Sequence, residues 1–365
     1  MLIGLDGNEA NVKNRVGSGQ YAYSMLAQFA KNKSHDFIVY LKEKPLSDLP
    51  TKTSNYKYQV FGPTRLWTQF ALPIKLTFSS KIDLFFTLGH YGPRFSRVPY
   101  AITIFDLSYL HFPELFNKDD LYQLINWSKY SIKAAKHIFA ISTSTKDDII
   151  KNYDINPNKI SITHMGYNEE LFKLQPTAKI KKVKEKYAIT GDYIIFVGTL
   201  QPRKNVESLL KALKLIDLGI KLVVVGKKGW LFDSIFKKVR ESKLEANVIF
   251  TDYVTQQELP ALISGAKLYV LPSLYEGFGI PVIEAQACGV PTVVSNTSSL
   301  PEVVGKSGVL IDPTDSNSIA KGIKKILSSE KLSQDLVKMG YENVKRFSWE
   351  KCAAETLKVL ESLNR

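Results

Sequence analysis

Cysteine is almost missing: Cys288 and Cys352 are the only two in 365 residues, and they lie far apart. That pattern excludes a disulfide framework or a cysteine-rich metal site and leads us to expect unpaired thiols in the core of a cytosolic protein. No run approaches the ~18–20 uninterrupted apolar residues of a membrane span. The opening Met1–Asp6 has no basic stretch before its apolar residues, so no secretory signal is expected there. The five histidines (His35, His90, His111, His137, His164) show no metal-ligand spacing. Basic residues interleaved with aromatics in an RNA-binding pattern are also missing, so nucleic acid is not expected as a partner.

Positive charge, by contrast, is plentiful. The formal net charge is +14, and the lysines are scattered over both halves of the chain. Such a surface serves solubility, or it attracts a phosphorylated small molecule or an anionic membrane surface. Hydrophobic content of 44% with 23% charged residues is ordinary for a globular protein. The length exceeds what one average core supports, and two domains are the natural expectation.

Apolar runs alternate with amphipathic stretches in two successive sets. The first set of strands reads Leu2–Asp6, Asp36–Leu41, Lys57–Phe61, Ile82–Thr87, Tyr100–Phe105, His137–Ile141 and Lys159–Thr163. The second reads Tyr193–Val197, Lys221–Val225, Asn247–Thr251, Lys267–Leu271, Pro291–Ser295 and Gly308–Ile311. Continuous runs such as Leu222-Val223-Val224-Val225 suit parallel strands covered on both faces by helices. The expected fold is therefore α/β, with two doubly wound Rossmann-like domains facing a central cleft. Residues 1–175 form the first domain and 176–347 the second, while 348–365 make a helix returning to the first. The lysine-rich segment before Gly191 reads as a solvated helical turn near the boundary.

Open α/β sheets bind ligands beyond the carboxyl ends of their strands, so the loops after strands are where chemistry is expected. The richest is Leu271-Pro272-Ser273-Leu274-Tyr275-Glu276-Gly277-Phe278-Gly279-Ile280-Pro281, which leads from a strand into a helix carrying Glu284. Pro281 fits a first helical turn, whose unpaired N–H groups favour an anion such as a diphosphate. Gly277 and Gly279 allow close backbone approach, with Phe278 and Ile280 flanking the helix start. Glu276 can accept hydrogen bonds from sugar hydroxyls and Glu284 can reach a ribose diol. The plainer alternative is a turn with a capping carboxylate and a solvated helical glutamate. A second loop, Gly198-Thr199-Leu200-Gln201-Pro202-Arg203-Lys204-Asn205, sets two cations where a leaving diphosphate gathers charge. Arg203 is the less secure of the two, since it can instead pair with a carboxylate. A third loop after the first strand holds Gly17-Ser18-Gly19, where glycine lets the backbone approach a ligand closely. It lacks the third glycine of the dinucleotide fingerprint, and a helix-start turn also accounts for it.

The Glu276-x7-Glu284 spacing resembles the motif of retaining glycosyltransferases, and Pro-Ser-x-Tyr-Glu-Gly-Phe-Gly-x-Pro resembles glycosyltransferase family 4 with the GT-B fold. The resemblance spans nearly the whole chain. Ala287–Val294 and the Ser299–Val303 and Gly308–Pro313 segments follow in the family's order, and Lys204 matches the family's lysine. It implies a metal-independent hexosyltransferase with no cofactor, whose co-substrate is a GDP- or UDP-sugar. Under this resemblance Lys204, Arg203, Glu276 and Asp106 are catalytic. Gly17, Ser18, Gly19, Tyr253, Gly277, Phe278, Gly279, Ile280 and Glu284 then bind substrate. The Gly-Thr-Leu-Gln-Pro-Arg-Lys-Asn variant points to mannose, and the expected acceptor is a glycan or lipid-linked chain at the inner membrane face.

The chain departs from the family in Thr103-Ile104-Phe105-Asp106, where many members have His-Asp. A phenyl ring can neither donate to a sugar nor relay a proton, which leaves Asp106 either a catalytic or a loop-fixing part. The departure also keeps a non-catalytic sugar-nucleotide or glycan-binding partner protein among the readings, beside a sugar-nucleotide epimerase.

Overall fold

The computed structural model describes residues 1–78, 81–216 and 219–363. The chain divides into two compact units, Met1–Gly166 joined by the helix that begins at Trp349, and Tyr167–Ser348.

The first unit is built on seven strands: β1 (Leu2–Asp6), β2 (Asp36–Leu41), β3 (Tyr56–Val60), β4 (Leu84–Thr87), β5 (Tyr100–Ile104), β6 (His137–Ala140) and β7 (Ile160–Ile162). They pair in parallel in the order β3-β2-β1-β4-β5-β6-β7. The second unit holds β8 (Tyr193–Val197), β9 (Lys221–Val225), β10 (Val248–Asp252), β11 (Leu268–Leu271), β12 (Thr292–Ser295) and β13 (Gly308–Ile311). These too are all parallel, in the order β10-β9-β8-β11-β12-β13. Both are Rossmann-like sheets, as the apolar runs predicted. Every residue of β4, β5, β6, β8, β11 and β12 is buried, which only helices on both faces of a sheet can achieve. Strand order reverses between β1 and β4 in one sheet and between β8 and β11 in the other. Ligand-binding crevices form at such switch points.

Several boundaries differ from the sequence reading for local reasons. The helix after β9 begins only at Asp233, because Leu231 has a left-handed φ of 54° that no helical residue can keep. The lysine-rich turn is a full helix, Thr177–Lys186. The helix Ala71–Phe78 escapes the periodicity search, since it is apolar on its exposed side as well as its buried one.

The units divide between Gly166 and Tyr167, rather than between residues 175 and 176. Residues after Gly166 already bond within the second unit: the Gln175 amide donates to Ser264 Oγ at 3.2 Å. The last helix, Trp349–Ser362, packs on the helix Ser18–Lys31 of the first unit. The Trp349 ring lies edge-on to Tyr21 at 6.0 Å, and His35 Nε2 meets Glu361 Oε1 at 2.7 Å. Trp349, Leu357 and Leu360 are buried, each contributing about 1.5–3 kcal/mol relative to exposure.

Candidate functional site

In the second unit, the loops after four strands, β8 to β11, hold most of the predicted site residues. After β11 the chain runs through Pro272–Phe278 to Gly279, whose φ of 104° turns it into the helix Ile280–Ala287. Only glycine takes that φ without strain, and a Cβ there would also press on Leu300 Cδ2 at 2.8 Å. Pro281 sits in the first turn, as predicted. That turn has neither a capping side chain nor an acidic residue, so its amides and the helix dipole present net positive potential. Gly277 completes the approach, and Phe278 is anchored edge-on against Phe347 with ring centres 5.5 Å apart.

Serines in flanking segments hold this loop. Ser299 Oγ donates to the carbonyls of Glu276 and Phe278, both at 2.9 Å, and Ser298 Oγ accepts from the Glu276 amide at 2.9 Å. Asn205, in a left-handed conformation with φ 57°, donates from Nδ2 to the carbonyls of Pro272 at 3.0 Å and Pro313 at 2.7 Å. Sequence reasoning passed over Ser273, Ser298, Ser299 and Asn205. The one signal for them was an asparagine closing the Pro-Arg-Lys turn, a residue type that tolerates left-handed backbone.

Glu276 is 6% exposed and does not stand alone. Lys204 Nζ lies 2.5 Å from its Oε1, Ser273 Oγ donates to the same oxygen at 2.6 Å, and Arg203 Nη1 is 3.4 Å from Oε2. Arg203 Nη1 also donates to the Tyr275 carbonyl. Burial pushes the Glu276 carboxyl up, but the Lys204 and Arg203 charges and the hydrogen bonds from Lys204 and Ser273 outweigh it. The net pKa is below the ordinary carboxylate range. Both cations therefore converge on the carboxylate expected beside the sugar, and Arg203 pairs with a carboxylate that belongs to the site.

Glu284, in the second turn of the same helix, is the opposite case. Its carboxylate has no hydrogen-bond or ion-pair partner among the described residues, and desolvation pushes its pKa up to about 8. The side chain is only partly buried, so hydroxyls of a ligand can reach this unsatisfied acceptor.

The neighbouring loops complete the surface. A Cβ on Gly226 would fall on the Gly198 carbonyl oxygen, so the loops after β8 and β9 meet backbone to backbone. Tyr253, after β10, is 46% exposed with Lys227 Nζ 4.7 Å over its ring.

The remaining predicted residues lie in the first unit, after β1 and β5. Gly17 turns the chain with φ 52° into the helix Ser18–Lys31. Ser18 Oγ donates to Glu9 Oε2 at 3.0 Å, and Gly19 passes so close to the Glu9 carbonyl that a Cβ would sit 3.0 Å away. Asp106 Oδ1 accepts from the Ser108 amide at 3.0 Å and from Ser108 Oγ at 2.6 Å, a turn-fixing arrangement. Phe105 packs edge-on between Tyr21 at 5.1 Å and His90 at 5.2 Å. Burial pushes the His90 imidazole below its ordinary value, against the pull of Asp106 and Glu9, and its Nδ1 is buried without a hydrogen-bond partner. Among the described residues, no group of three or more His, Cys, Asp or Glu side chains is placed to hold a metal ion.

Comparison with known proteins bears on the family and the fold. Residues 179–343 match the family "Glycosyl transferases group 1". O-antigen chain mannosyltransferase B of Escherichia coli is 32% identical over 75% of this chain and 74% of its own. O-antigen chain mannosyltransferase RfbU of Salmonella typhimurium is 31% identical over 76% of this chain and 73% of its own. Among solved structures, sucrose-phosphate synthase from Thermosynechococcus elongatus superposes with a TM-score of 0.79 at 19% identity, covering 99% of this chain and 98% of that one. Anabaena Alr3699/HepE, solved with UDP-glucose, gives a TM-score of 0.77 at 18% identity, with 99% of each chain covered. These structures share the fold. Sequence, fold and site together make the chain a member of the group 1 glycosyl transferases, a family-4-like glycosyltransferase of GT-B architecture.

Proposed function

We propose that this enzyme transfers a hexose, mannose in the first instance, from a nucleotide-diphosphate sugar to a glycan or lipid-linked acceptor with retention at the anomeric carbon. One observation carries the donor half: Glu284, partly buried and with no side-chain partner among the described residues, lies one turn inside a helix whose uncapped start adjoins the Lys204–Glu276 pair. Glu284 takes the ribose hydroxyls, the helix start takes the diphosphate, and Tyr253 borders the base. Mannose is supported by the two mannosyltransferase relatives, and a nucleotide-sugar donor by the fold neighbour solved with UDP-glucose.

In the reaction, the bond from the anomeric carbon to the β-phosphate oxygen breaks and its electron pair stays on the phosphate. Lys204 and Arg203 offset the charge growing there. An ammonium with three donors can bridge a carboxylate and a phosphate oxygen, so Lys204 serves both ends of the breaking bond. Glu276, kept ionised by those cations, opposes the positive charge developing on the sugar. The acceptor oxygen bonds to the same face of that carbon, and its proton leaves on the departing phosphate oxygen. No protein base is needed, and no cofactor or metal ion enters the scheme. Gly17, Ser18, Gly19 and Asp106 form the acceptor-side loops of the first unit.

A thermal-shift screen across guanosine, uridine and adenosine diphosphate sugars tests the donor half. A raised unfolding midpoint with one guanosine or uridine sugar, lost on Glu284→Ala, is expected. No shift with any of them would remove the reading.

A further inference from the structure

The turns and helix from Leu66 to Phe78 carry apolar side chains where solvent should meet polar ones. Leu66, Phe70, Ile74 and Phe78 are spaced four apart and are 47%, 60%, 59% and 78% exposed. The backbone links them: the Phe70 amide donates to the Leu66 carbonyl at 3.0 Å, and the Ile74 amide to the Phe70 carbonyl at 3.1 Å. Phe70, Ile74 and Phe78 follow at helical spacing on one face of the helix Ala71–Phe78 and the turn before it, while Leu66, with a left-handed φ of 52°, lies where that turn begins. The other face, Trp67, Leu72 and Leu76, is buried in the core of the first unit, so the stripe is fixed in place rather than folded away. Scattered exposed apolar residues are unremarkable, whereas three in register with a fourth in the turn beside them mark an interaction surface.

Charge identifies what the stripe meets. Between Asp48 and Asp83 the chain carries five cations, Lys52, Lys57, Arg65, Lys75 and Lys81, and no acidic residue. Lys75 lies within the helix, Arg65 directly precedes Leu66 in sequence, and Lys81 follows Phe78 by three residues. A self-pairing interface would set these like charges against each other, on a protein already at +14. Apolar side chains rimmed by lysine and arginine fit the boundary between acyl chains and anionic headgroups, where burial and charge attraction add. We infer that the Leu66–Phe78 segment docks this enzyme on an anionic lipid bilayer, with Leu66, Phe70, Ile74 and Phe78 entering the headgroup–acyl boundary and Arg65, Lys75 and Lys81 lying on the headgroups.

The purpose of this surface rests on the proposed lipid-linked acceptor, since it would hold the enzyme where that acceptor is. The docking itself is tested separately from that reading. The protein is sedimented at low salt with phosphatidylcholine vesicles, with and without about a third phosphatidylglycerol. Binding to the anionic vesicles alone is expected, weakened by high salt. The triple substitution Phe70→Ser, Ile74→Ser, Phe78→Ser should lower the bound partition roughly tenfold or more. The pair Lys75→Glu and Lys81→Glu should do the same, and it decides the matter if the triple variant fails to fold. Nucleotide titration should be unchanged in both variants, because none of these residues lies in the donor site. Lack of vesicle binding, or binding that survives both sets of substitutions, overturns the inference. So does a wild-type dimer that the triple variant splits while vesicles bind neither form. A protein that binds vesicles but no nucleotide sugar would keep this surface and lose the proposed function.

Discussion

At the scale of single residues, the two glutamates of the motif are held in opposite electrical states, and each state makes a prediction. Glu284 is mostly protonated at neutral pH, since its pKa is about 8. Ribose hydroxyls donating to it favour the ionised form, so donor binding should release a proton. Donor affinity should rise with pH from about 6 to 8, and Glu284→Gln should flatten that slope while weakening binding roughly tenfold. Calorimetric titration in buffers of different ionisation enthalpy measures both. The same shift acts on folding. With its folded pKa above the unfolded one, Glu284 costs the fold stability progressively as pH rises from the ordinary carboxylate value of 4.5 to about 8, and the cost is constant beyond that. The melting midpoint of Glu284→Gln should therefore gain on the wild type at alkaline pH.

Glu276 behaves the other way. Its depressed pKa gives stability that is present above the ordinary carboxylate range and lost as pH falls through the folded value. Lys204→Ala leaves this buried carboxylate without its nearest cation. The expected cost is about 3–5 kcal/mol of stability together with a large loss of turnover. Lys204→Met with Glu276→Gln should recover much of the stability and none of the turnover, which separates the two effects in melting and rate measurements.

At the scale of elements, the candidate donor site depends on loops meeting backbone to backbone, those after β8 and β9 at Gly198 and Gly226 and the motif loop through the Leu274 amide, which donates to the Arg203 carbonyl at 2.9 Å. Gly226→Ala would drive a methyl into the Gly198 carbonyl, so the loops after β8 and β9 must part. Gly279→Ala strains the helix start and presses on Leu300. Each should cost about 1–3 kcal/mol and weaken nucleotide binding, as read by denaturant melts and titration. Much at this scale was legible in the sequence. Fully buried strands such as Ile194–Val197 and Leu222–Val225 announce themselves as apolar runs, and Gly279-Ile280-Pro281 announces a helix start. What holds the motif loop was not legible. Ser298 and Ser299 reach it from a segment more than twenty residues on, and a serine in a loop looks the same whether it faces water or a carbonyl. The convergence of Arg203 and Lys204 on Glu276 was hidden for a similar reason, since partners about seventy residues apart meet only in the folded sheet.

At the scale of the whole molecule, the chain closes on itself: residues from Trp349 onward complete the unit that begins at Met1. Periodicity showed a terminal helix but not what it covers, because its apolar face suits any partner. Deleting 349–365 should expose the Tyr21 side of the first unit and lower its melting temperature, while the nucleotide-dependent shift of the second unit survives. Differential scanning calorimetry with and without nucleotide distinguishes the two. Among the described residues no helix is long and apolar enough to cross a membrane.

The central claim is that Lys204, Glu276 and Glu284 handle a nucleotide-sugar donor. Its most direct measurement is release of nucleoside diphosphate from the donor found by the screen, compared between the wild type, Lys204→Ala, Glu276→Ala and Glu284→Ala. The account predicts that Lys204→Ala and Glu276→Ala lose turnover by roughly a hundredfold or more, while Glu284→Ala loses chiefly donor affinity. Near-wild-type release by Lys204→Ala and Glu276→Ala would contradict it.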